Sequence, residues 1–232
     1  MKSRLPAEIA SLLRVQVGSE LPAATLAIVD TAFANCTNAL DSLLPPLADA
    51  IATTIGNTCC EGLQPLRGIL ATYRMTNKPP PTQHSRFVTN ILKPYKTFMT
   101  SHGQHLSKEA THVLTMKVSE CVSQKYYAMA KDLLDSVKKA EDVLKRLSLG
   151  KGVDTRQGGS SSDTDKISLQ LFLDVRKFGS EIEHFDVKLA EIPAYSKLWL
   201  FIKEEAESRM GAPTRPTQEI ASTSVSAETA LN

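Results

Sequence analysis

Several residue types are scarce in this 232-residue sequence, and each scarcity excludes a class of protein. The chain has four cysteines, 11 glycines and 12 prolines. Four cysteines are too few for a disulfide scaffold and fit a reducing, cytosolic compartment. The glycine and proline contents exclude collagen-like and low-complexity chains. Since 42% of the residues are hydrophobic, the chain can bury a core, which excludes global disorder.

Long hydrophobic runs are also missing. In the apolar N-terminal third, the longest stretches without charge are about ten residues long, such as 31–40 and 50–60. A membrane-spanning helix needs roughly 20 apolar residues. The first residues are basic like those of a signal peptide, but Pro6 and Glu8 interrupt what should be its apolar core. We therefore predict neither a signal peptide nor a membrane anchor.

The sequence lacks the common motifs of catalysis and cofactor binding. It contains no G-x-S-x-G, Walker or G-x-G-x-x-G motif and no C-x-x-C pair. His105, Glu109 and His112 would share one face of a helix and could hold a metal, although this spacing is more often a polar stripe. Cys121 lies beside an apolar stripe and is predicted to be a small core residue. We predict a protein that is not an enzyme and that binds no cofactor or metal.

Acidic residues are absent between Glu61 and Glu109, although the net charge of the whole chain is only +2. This basic interval, residues 62–108, contains seven cations and leaves 20 basic and 25 acidic residues in the rest of the chain. Such an interval indicates an anionic partner. A solvated face, or pairing with the chain's own acidic helices, is the commoner explanation. The candidate binding residues are Arg74, Lys78, Arg86, Lys93 and Lys96.

Aromatic residues between these cations raise the question of nucleic-acid binding, because single-strand binding proteins combine stacking aromatics with cations. However, Phe87, Ile91 and Tyr95 recur every four residues, which is the spacing of a helix face in a core. We therefore predict core packing at these positions and no nucleic-acid partner.

Helical spacing dominates the rest of the sequence and predicts an all-α fold. Residues 107–149 form one long predicted helix with an apolar stripe at steps of three and four: Leu114, Val118, Val122, Tyr126, Met129, Leu133, Val137, Ala140, Leu144 and Leu147. A second stripe follows a predicted capping box at Ser162 and Asp165: Leu171, Val175, Phe178, Ile182, Phe185 and Leu189. Pro193 is predicted to begin a last helix, with an apolar face of Tyr195, Leu198, Trp199 and Ile202.

Prolines divide the remaining segments. Residues 21–44 and 47–73 are predicted as two apolar helices separated by Pro45 and Pro46. Their few charges imply burial on much of the circumference, or a missing neighbour. A helix capped by Thr82 or Ser85 is predicted to bend or break at Pro94. Composition predicts a flexible linker at 150–162 and a disordered tail at 212–232.

Three segments resemble a known family. They are residues 73–98 (YRMTNKPPPTQHSRFVTNILKPYKTF), 120–147 (ECVSQKYYAMAKDLLDSVKKAEDVLKRL) and 163–185 (DTDKISLQLFLDVRKFGSEIEHF). Their order and their amino-acid sequences resemble the C-terminal domain of the second-subunit family of the conserved oligomeric Golgi complex, over residues from about 60 to 202. The resemblance implies an elongated multi-helix bundle of the helical-rod tethering type, here residues 1–211. Family members are several times longer, so we expect a fragment, a short isoform or an incomplete gene model.

The same resemblance implies a function without catalysis. It implies a subunit of a vesicle-tethering complex that supports retrograde intra-Golgi transport, Golgi organisation and, indirectly, glycosylation. The implied partners are the other subunits of the complex, SNAREs, small GTPases and coiled-coil tethers. The implied location is the cytosol and the cytosolic face of the Golgi membrane, as a peripheral protein. The alternative is a stand-alone helical module that binds an anionic membrane surface or an acidic protein through residues 62–108.

Overall fold

The computed structural model describes residues 11, 12, 15, 23–74, 76, 78–149 and 162–210. Its numbered α-helices are α1 Ala23–Glu61, α2 Ile69–Tyr73, α3 Lys93–His102, α4 Lys108–Leu149, α5 Asp163–Glu183 and α6 Pro193–Met210. Short 3-10 helices lie at Gln64–Gly68, Val88–Asn90, Gly103–His105 and Leu189–Glu191. These residue ranges contain no β-strand, and the predicted all-α class is confirmed.

Helix α4 is the centre of the bundle, and α1, α5 and α6 pack against it. Its buried side chains repeat at steps of three and four, as the sequence predicts, so that one stripe faces the other helices. Each fully buried Leu or Val contributes roughly 1.5–3 kcal/mol to stability. The confirmed members of the stripe are Leu114, Val118, Val122, Tyr126, Met129, Leu133 and Val137.

The predicted ends of α5 and α6 are largely confirmed. Ser162 and Asp165 form the capping box, with the Asp165 N–H donating to Oγ of Ser162 and the Ser162 N–H donating to the Asp165 carboxylate. Pro193 begins α6, where its missing N–H costs little. Phe185 and Leu189, however, lie outside α5, because α5 ends at Glu183 and the chain turns before the next 3-10 helix.

The prediction that Pro45 and Pro46 separate two helices is wrong. Helix α1 continues through both prolines. The two carbonyls that lose their helical donors belong to Asp41 and Ser42, and both residues are exposed, so water can satisfy these carbonyls. The helix ends instead at Glu61, where Gly62 approaches the next segment so closely that a Cβ on Gly62 would lie 3.1 Å from Cα of Ile91.

The prediction of a helix that meets Pro94 in mid-course is also wrong. Between Ser85 and Pro94 the structure has only the 3-10 helix Val88–Asn90, and Pro94 lies in the first turn of α3. The backbone N–H of Ser85 does not take part in a helix cap but donates to the Asp174 carboxylate of α5. A tertiary hydrogen bond therefore replaces the predicted helix start.

The first part of α1, residues 23–50, contains no buried residue among those whose burial is described, and we call it the arm. Leu40, Leu43, Leu44 and Leu47 of the arm are 55–62% exposed. The structure thus supports the missing neighbour rather than burial on much of the circumference. The predicted tail at 212–232 and, apart from Ser162, the predicted linker at 150–162 lie outside the described residues. In the described part of the chain, no helix combines the length and the hydropathy needed to span a bilayer.

Candidate interaction surface

The segment between α2 and α3 is fixed to α5 by a buried hydrogen-bond network. The Tyr73 hydroxyl donates to Oε1 of Gln170 at 2.8 Å. The Gln170 amide donates to the Gln83 carbonyl at 3.0 Å and to Oδ1 of Asp174 at 2.9 Å. The backbone N–H of Ser85 donates to the same Asp174 oxygen at 2.6 Å. Two polar side chains of α5 therefore determine where the middle of the basic interval lies.

Asp174 is the most unusual group of this network, since its side chain is fully buried. Burial raises the pKa of the Asp174 carboxyl, and the hydrogen bonds from Ser85 and Gln170 only partly offset this effect. The second carboxylate oxygen, Oδ2, has no hydrogen-bond partner among the described residues. Burial, and then the nearby Asp174 charge, also raises the pKa of Tyr73. The network positions the chain and offers no access to a substrate.

Four of the five predicted binding residues are free on the surface. Arg74, Lys78, Arg86 and Lys93 are all exposed. None of them forms an ion pair or a side-chain hydrogen bond with any part of the chain that the structure describes. Their charges are therefore available to an anionic partner.

Lys96, the fifth residue, is occupied within the molecule. Its ammonium group lies 2.5 Å from the carboxylate of Glu181, which is only 8% exposed. Lys177 binds the same carboxylate at 2.7 Å. Burial alone would raise the pKa of Glu181, but the bonds from Lys177 and Lys96 lower it overall. For Lys96, pairing with an acidic helix of the same chain is the correct interpretation.

Sequence reasoning missed Arg176, which lies more than 80 positions away from most of the basic interval. Arg176 is exposed on α5 and lines a shallow depression of about 340 Å³ together with residues 82–84, Leu173, Lys177 and Ser180. Its position off the apolar stripe of α5 showed that it faces solvent. Which segment lies beside it depends on the tertiary network at Gln170 and Asp174, which no local pattern reveals.

Two acidic groups of α5 are not available to the cations of this surface: Asp174 is fully buried, and Glu181 is already bound by two lysines. Glu183, in contrast, is exposed and lines a second depression together with Arg176. The cations are on the outside: Arg74, Lys78, Arg86, Lys93 and Arg176. We call these five residues the basic face. They can bind an anionic surface, whereas nothing among them is arranged for acid–base or nucleophilic chemistry.

The possible metal ligands do not come together. His105 belongs to a 3-10 helix, and the extended residue Leu106 separates it from α4, so it does not share a helix face with Glu109. His112 lies 3.4 Å from the carboxylate of Glu191 instead. Over the described ranges, no three His, Cys, Asp or Glu side chains are grouped so as to hold a metal ion.

The cysteines at the contact of α1 and α4 belong to the packing of the two helices. Cys121 is half-buried, and a Cβ added to Gly56 would lie 3.0 Å from its Sγ. Burial, together with the neighbouring Cys121, raises the pKa of the Cys60 thiol to about 12. Burial likewise raises the pKa of Cys59 to about 11. Because the thiolate is the reactive form, these thiols are poor nucleophiles.

In the part of the chain that the structure describes, buried polar groups fix the segments of a helical bundle, and five exposed cations have no ion-pair partner. These are features of a protein with an interaction surface, and comparison with known proteins gives its family. Residues 2–175 match the family model described as "COG complex component, COG2, C-terminal". The chain therefore belongs to this family, and the resemblance noted from the sequence is confirmed.

Known members of the family share moderate identity with the chain. It is 34% identical over 171 residues to conserved oligomeric Golgi complex subunit 2 of Arabidopsis thaliana, covering 69% of this chain and 22% of the relative. The subunit of Dictyostelium discoideum is 34% identical over 154 residues, or 65% of this chain and 17% of the relative. The human subunit is 29% identical over 174 residues, or 73% and 24%. The chain thus spans less than a quarter of the length of these relatives. No solved structure matches it.

Proposed function

We propose that the chain acts, without catalysis, as an interaction subunit of the conserved oligomeric Golgi complex in vesicle tethering. The observation that carries this proposal is the family match over residues 2–175 on a bundle made of helices. Amphipathic helices packed in this way provide length and surface, which are the two properties that a tether requires. The proposed process is retrograde intra-Golgi transport, with an indirect effect on glycosylation.

The partners under this proposal are the other subunits of the complex. SNAREs, small GTPases and coiled-coil tethers are further proposed contacts. The proposed location is the cytosolic face of the Golgi membrane, as a peripheral protein. Support comes from the relatives, each of which is a subunit of a Golgi complex.

Affinity purification tests this function directly. The full chain, carrying a small tag, is expressed in the cells that produce it, and the proteins that co-purify are identified by mass spectrometry. We expect several other subunits of the complex in near-equal amounts, and none of them with the tag alone. Recovery of the chain without any subunit of the complex would contradict the proposal.

The basic face supports a second proposal, that it binds an anionic membrane surface or an acidic protein partner. Five exposed cations carry it, with no exposed carboxylate paired to any of them among the described residues. Each Lys or Arg near an anionic bilayer contributes about 1 kcal/mol. Reversing four of these charges should therefore weaken binding by well over tenfold.

Flotation with vesicles that contain phosphatidylserine distinguishes the two kinds of partner. The test variant combines Arg74→Glu, Lys78→Glu, Arg86→Glu and Lys93→Glu. The matched control reverses four exposed lysines elsewhere: Lys125, Lys131, Lys139 and Lys188. Vesicle binding that only the test variant loses indicates a membrane partner. Loss of co-purifying protein without vesicle binding indicates an acidic protein. Equal behaviour of the two variants in both assays would rule out the basic face as a binding site.

A further inference from the structure

The depression between residues 82–84 and α5 is lined by side chains that can donate hydrogen bonds, and we call it the His84 depression. Helix α5 contributes Arg176, Lys177 and Ser180 to its lining. Residues 82–84 add a threonine hydroxyl, a glutamine amide and an imidazole. Among the described residues, no carboxylate belongs to this lining. Each polar side chain of the depression can therefore donate to a bound anion.

Most of these donors have no partner within the described chain. Four of the side chains form no hydrogen bond and no ion pair with any described residue: Thr82, His84, Arg176 and Ser180. Lys177 binds Glu181 at 2.7 Å, but a lysine ammonium group can donate more than one hydrogen bond. Unused donors that converge on one depression are what an anion-binding site requires.

The two sides of the His84 depression are held in place by the chain itself. One side is the helix α5. The other side is tied to α5 at two points, because the Gln83 carbonyl accepts the Gln170 amide at 3.0 Å and the Ser85 N–H donates to Asp174 at 2.6 Å. These two bonds flank His84 in the sequence. A site that is ordered in advance loses less conformational entropy when a ligand binds.

The acidic groups nearby do not cancel the positive charge of the depression. Glu181 is bound by both Lys96 and Lys177, so these three groups keep one positive charge. Asp174 is fully buried, and its Oδ1 already accepts hydrogen bonds from the backbone and from a side-chain amide. Together with Arg176, the two lysines outnumber the two carboxylates even when Asp174 is ionised. An anion is therefore attracted to the depression.

A neighbouring depression shows why the anion is expected beside His84. This second depression is also lined by Arg176 and Ser180, but Glu183, Trp199 and other apolar side chains complete its lining. Glu183 is exposed, so its carboxylate would repel an anion there. Arg176 can therefore hold an anion more favourably on the side of the His84 depression.

The donors of the His84 depression match a phosphate group on a small polyhydroxyl ring. A phosphomonoester has about 1.5–2 negative charges at pH 7 and three acceptor oxygens, and the planar arginine guanidinium binds such oxygens in pairs. Ring hydroxyls can bond to the hydroxyls of Thr82 and Ser180 and to the amide of Gln83. The volume of about 340 Å³ lies at the lower end of the range of roughly 300–1,000 Å³ for small-ligand sites. It therefore suits a headgroup rather than a protein segment.

We propose that the His84 depression binds a phosphomonoester group on an inositol ring, carried by a phosphoinositide lipid or by a soluble inositol phosphate. Arg176 and Lys177 bind the phosphate oxygens, while Thr82, His84 and Ser180 donate further hydrogen bonds. In the lipid-bound form, the other cations of the basic face lie against the anionic bilayer. The inference deepens the second proposal above and rests on it for the presence of a membrane.

Calorimetry with the full chain and inositol trisphosphate tests the site, and unphosphorylated inositol is the ligand control. Arg176→Glu is the test variant, and Lys139→Glu, which reverses an exposed lysine of α4, is the matched control. Since a hydrogen bond between charged groups contributes roughly a factor of ten or more, the affinity for the trisphosphate should fall at least that far in Arg176→Glu. Lys139→Glu should bind like the wild type, and inositol should not bind. Because both residues are exposed, both variants should keep the thermal midpoint of unfolding.

Amide chemical shifts locate the bound ligand independently of any substitution. We expect inositol trisphosphate to shift the amide signals of residues 82–85 and 173–180 and to leave those of the arm unchanged. Shifts outside these two segments, without any inside them, would overturn the proposal. So would an absence of trisphosphate binding at millimolar concentration, an equal loss of affinity in the two variants, or binding of a phosphothreonine peptide in place of the trisphosphate.

Vesicle flotation distinguishes the two sources of the headgroup. Vesicles with phosphatidylinositol bisphosphate are compared with phosphatidylserine vesicles of equal total charge. A preference for the bisphosphate that Arg176→Glu abolishes identifies the lipid as the ligand. Trisphosphate binding in the depression without such a preference identifies the soluble inositol phosphate.

This inference and the second proposal fail differently. If phosphatidylserine vesicles bind through Arg74, Lys78, Arg86 and Lys93 while the trisphosphate does not bind, the His84 depression is wrong and the second proposal stands. If the trisphosphate binds in the depression while reversal of those four charges changes no binding to vesicles or protein, the second proposal is wrong and the soluble ligand remains. Co-purification of the other subunits tests the tethering function separately from both.

Discussion

Replacing Asp174 by alanine should loosen the attachment of the segment between α2 and α3 to α5. Oδ1 of Asp174 accepts the Ser85 N–H at 2.6 Å and the Gln170 amide at 2.9 Å. In the Asp174→Ala variant, the Gln170 amide keeps the Gln83 carbonyl as an acceptor, but the Ser85 N–H loses the acceptor that the structure gives it. Asp174→Asn keeps an oxygen at the same place and is the matched control.

The size of the effect follows from these bonds. A typical hydrogen bond contributes about 1 kcal/mol net, and a buried donor without a partner costs about 1–3 kcal/mol. Removing a buried carboxylate returns part of this, because burial disfavours its charge. We expect the free energy of unfolding to fall by about 2–3 kcal/mol in Asp174→Ala and to change by less than about 1 kcal/mol in Asp174→Asn at pH 7.

The pH dependence gives an independent check with a definite sign. The pKa of Asp174 is raised in the folded chain, so the folded state binds its proton more tightly than the unfolded state. The resulting stabilisation is complete below the ordinary carboxyl pKa of about 3.9 and is lost as the pH rises through the folded pKa. Asp174→Asn lacks this titration. Its stability relative to the wild type should therefore increase from pH 4 upward and then level off.

Urea unfolding followed by circular dichroism at 222 nm, at several pH values between 4 and 7, measures both effects. Hydrogen exchange should also be faster in residues 78–92 of Asp174→Ala, with α4 unchanged. Equal stabilities of the alanine and asparagine variants, or a relative stability of Asp174→Asn that falls with rising pH, would refute the reasoning.

Three further substitutions test the packing of the bundle. Gly179→Ala should lower the free energy of unfolding by about 1–2 kcal/mol, although alanine has the better helix propensity, because the new Cβ would lie 2.7 Å from Cζ of Tyr195. Urea titration measures this free energy, and an unchanged urea midpoint would contradict the prediction. Ser162→Ala should lower the free energy of unfolding by about 1 kcal/mol, because it removes the capping box with Asp165. Hydrogen exchange in the first turn of α5 should become faster, and unchanged exchange there would argue against the cap. Tyr126→Phe should leave the stability unchanged or raise it by up to about 1 kcal/mol, since the buried hydroxyl of Tyr126 has no hydrogen-bond partner among the described residues. A clear drop in the thermal midpoint of unfolding would show that the hydroxyl has a partner.

The sequence was informative wherever structure depends on near neighbours along the chain. The apolar stripe of α4, the capping box at Ser162 and the start of α6 at Pro193 are local features, and the structure confirms them. Each depends on residues within one or two turns of one another.

Predictions failed where distant contacts or solvent decide the outcome. A proline pair normally stops a helix, but α1 continues through Pro45 because the freed carbonyls face water. The pairing of Lys96 with Glu181 and the position of Arg176 beside residues 82–84 follow from the way the segment lies on α5. These contacts join residues about 90 positions apart, for which the sequence contains no periodic signal.

Acidic and basic residues occupy different stretches of the chain. Residues 15–66 have no cation, and residues 62–108 have no anion. A polyanion that approaches the arm therefore meets only neutral or acidic side chains, whereas the exposed cations at 74, 78, 86 and 93 attract it. An anionic surface bound through these cations would accordingly leave the arm free for other contacts.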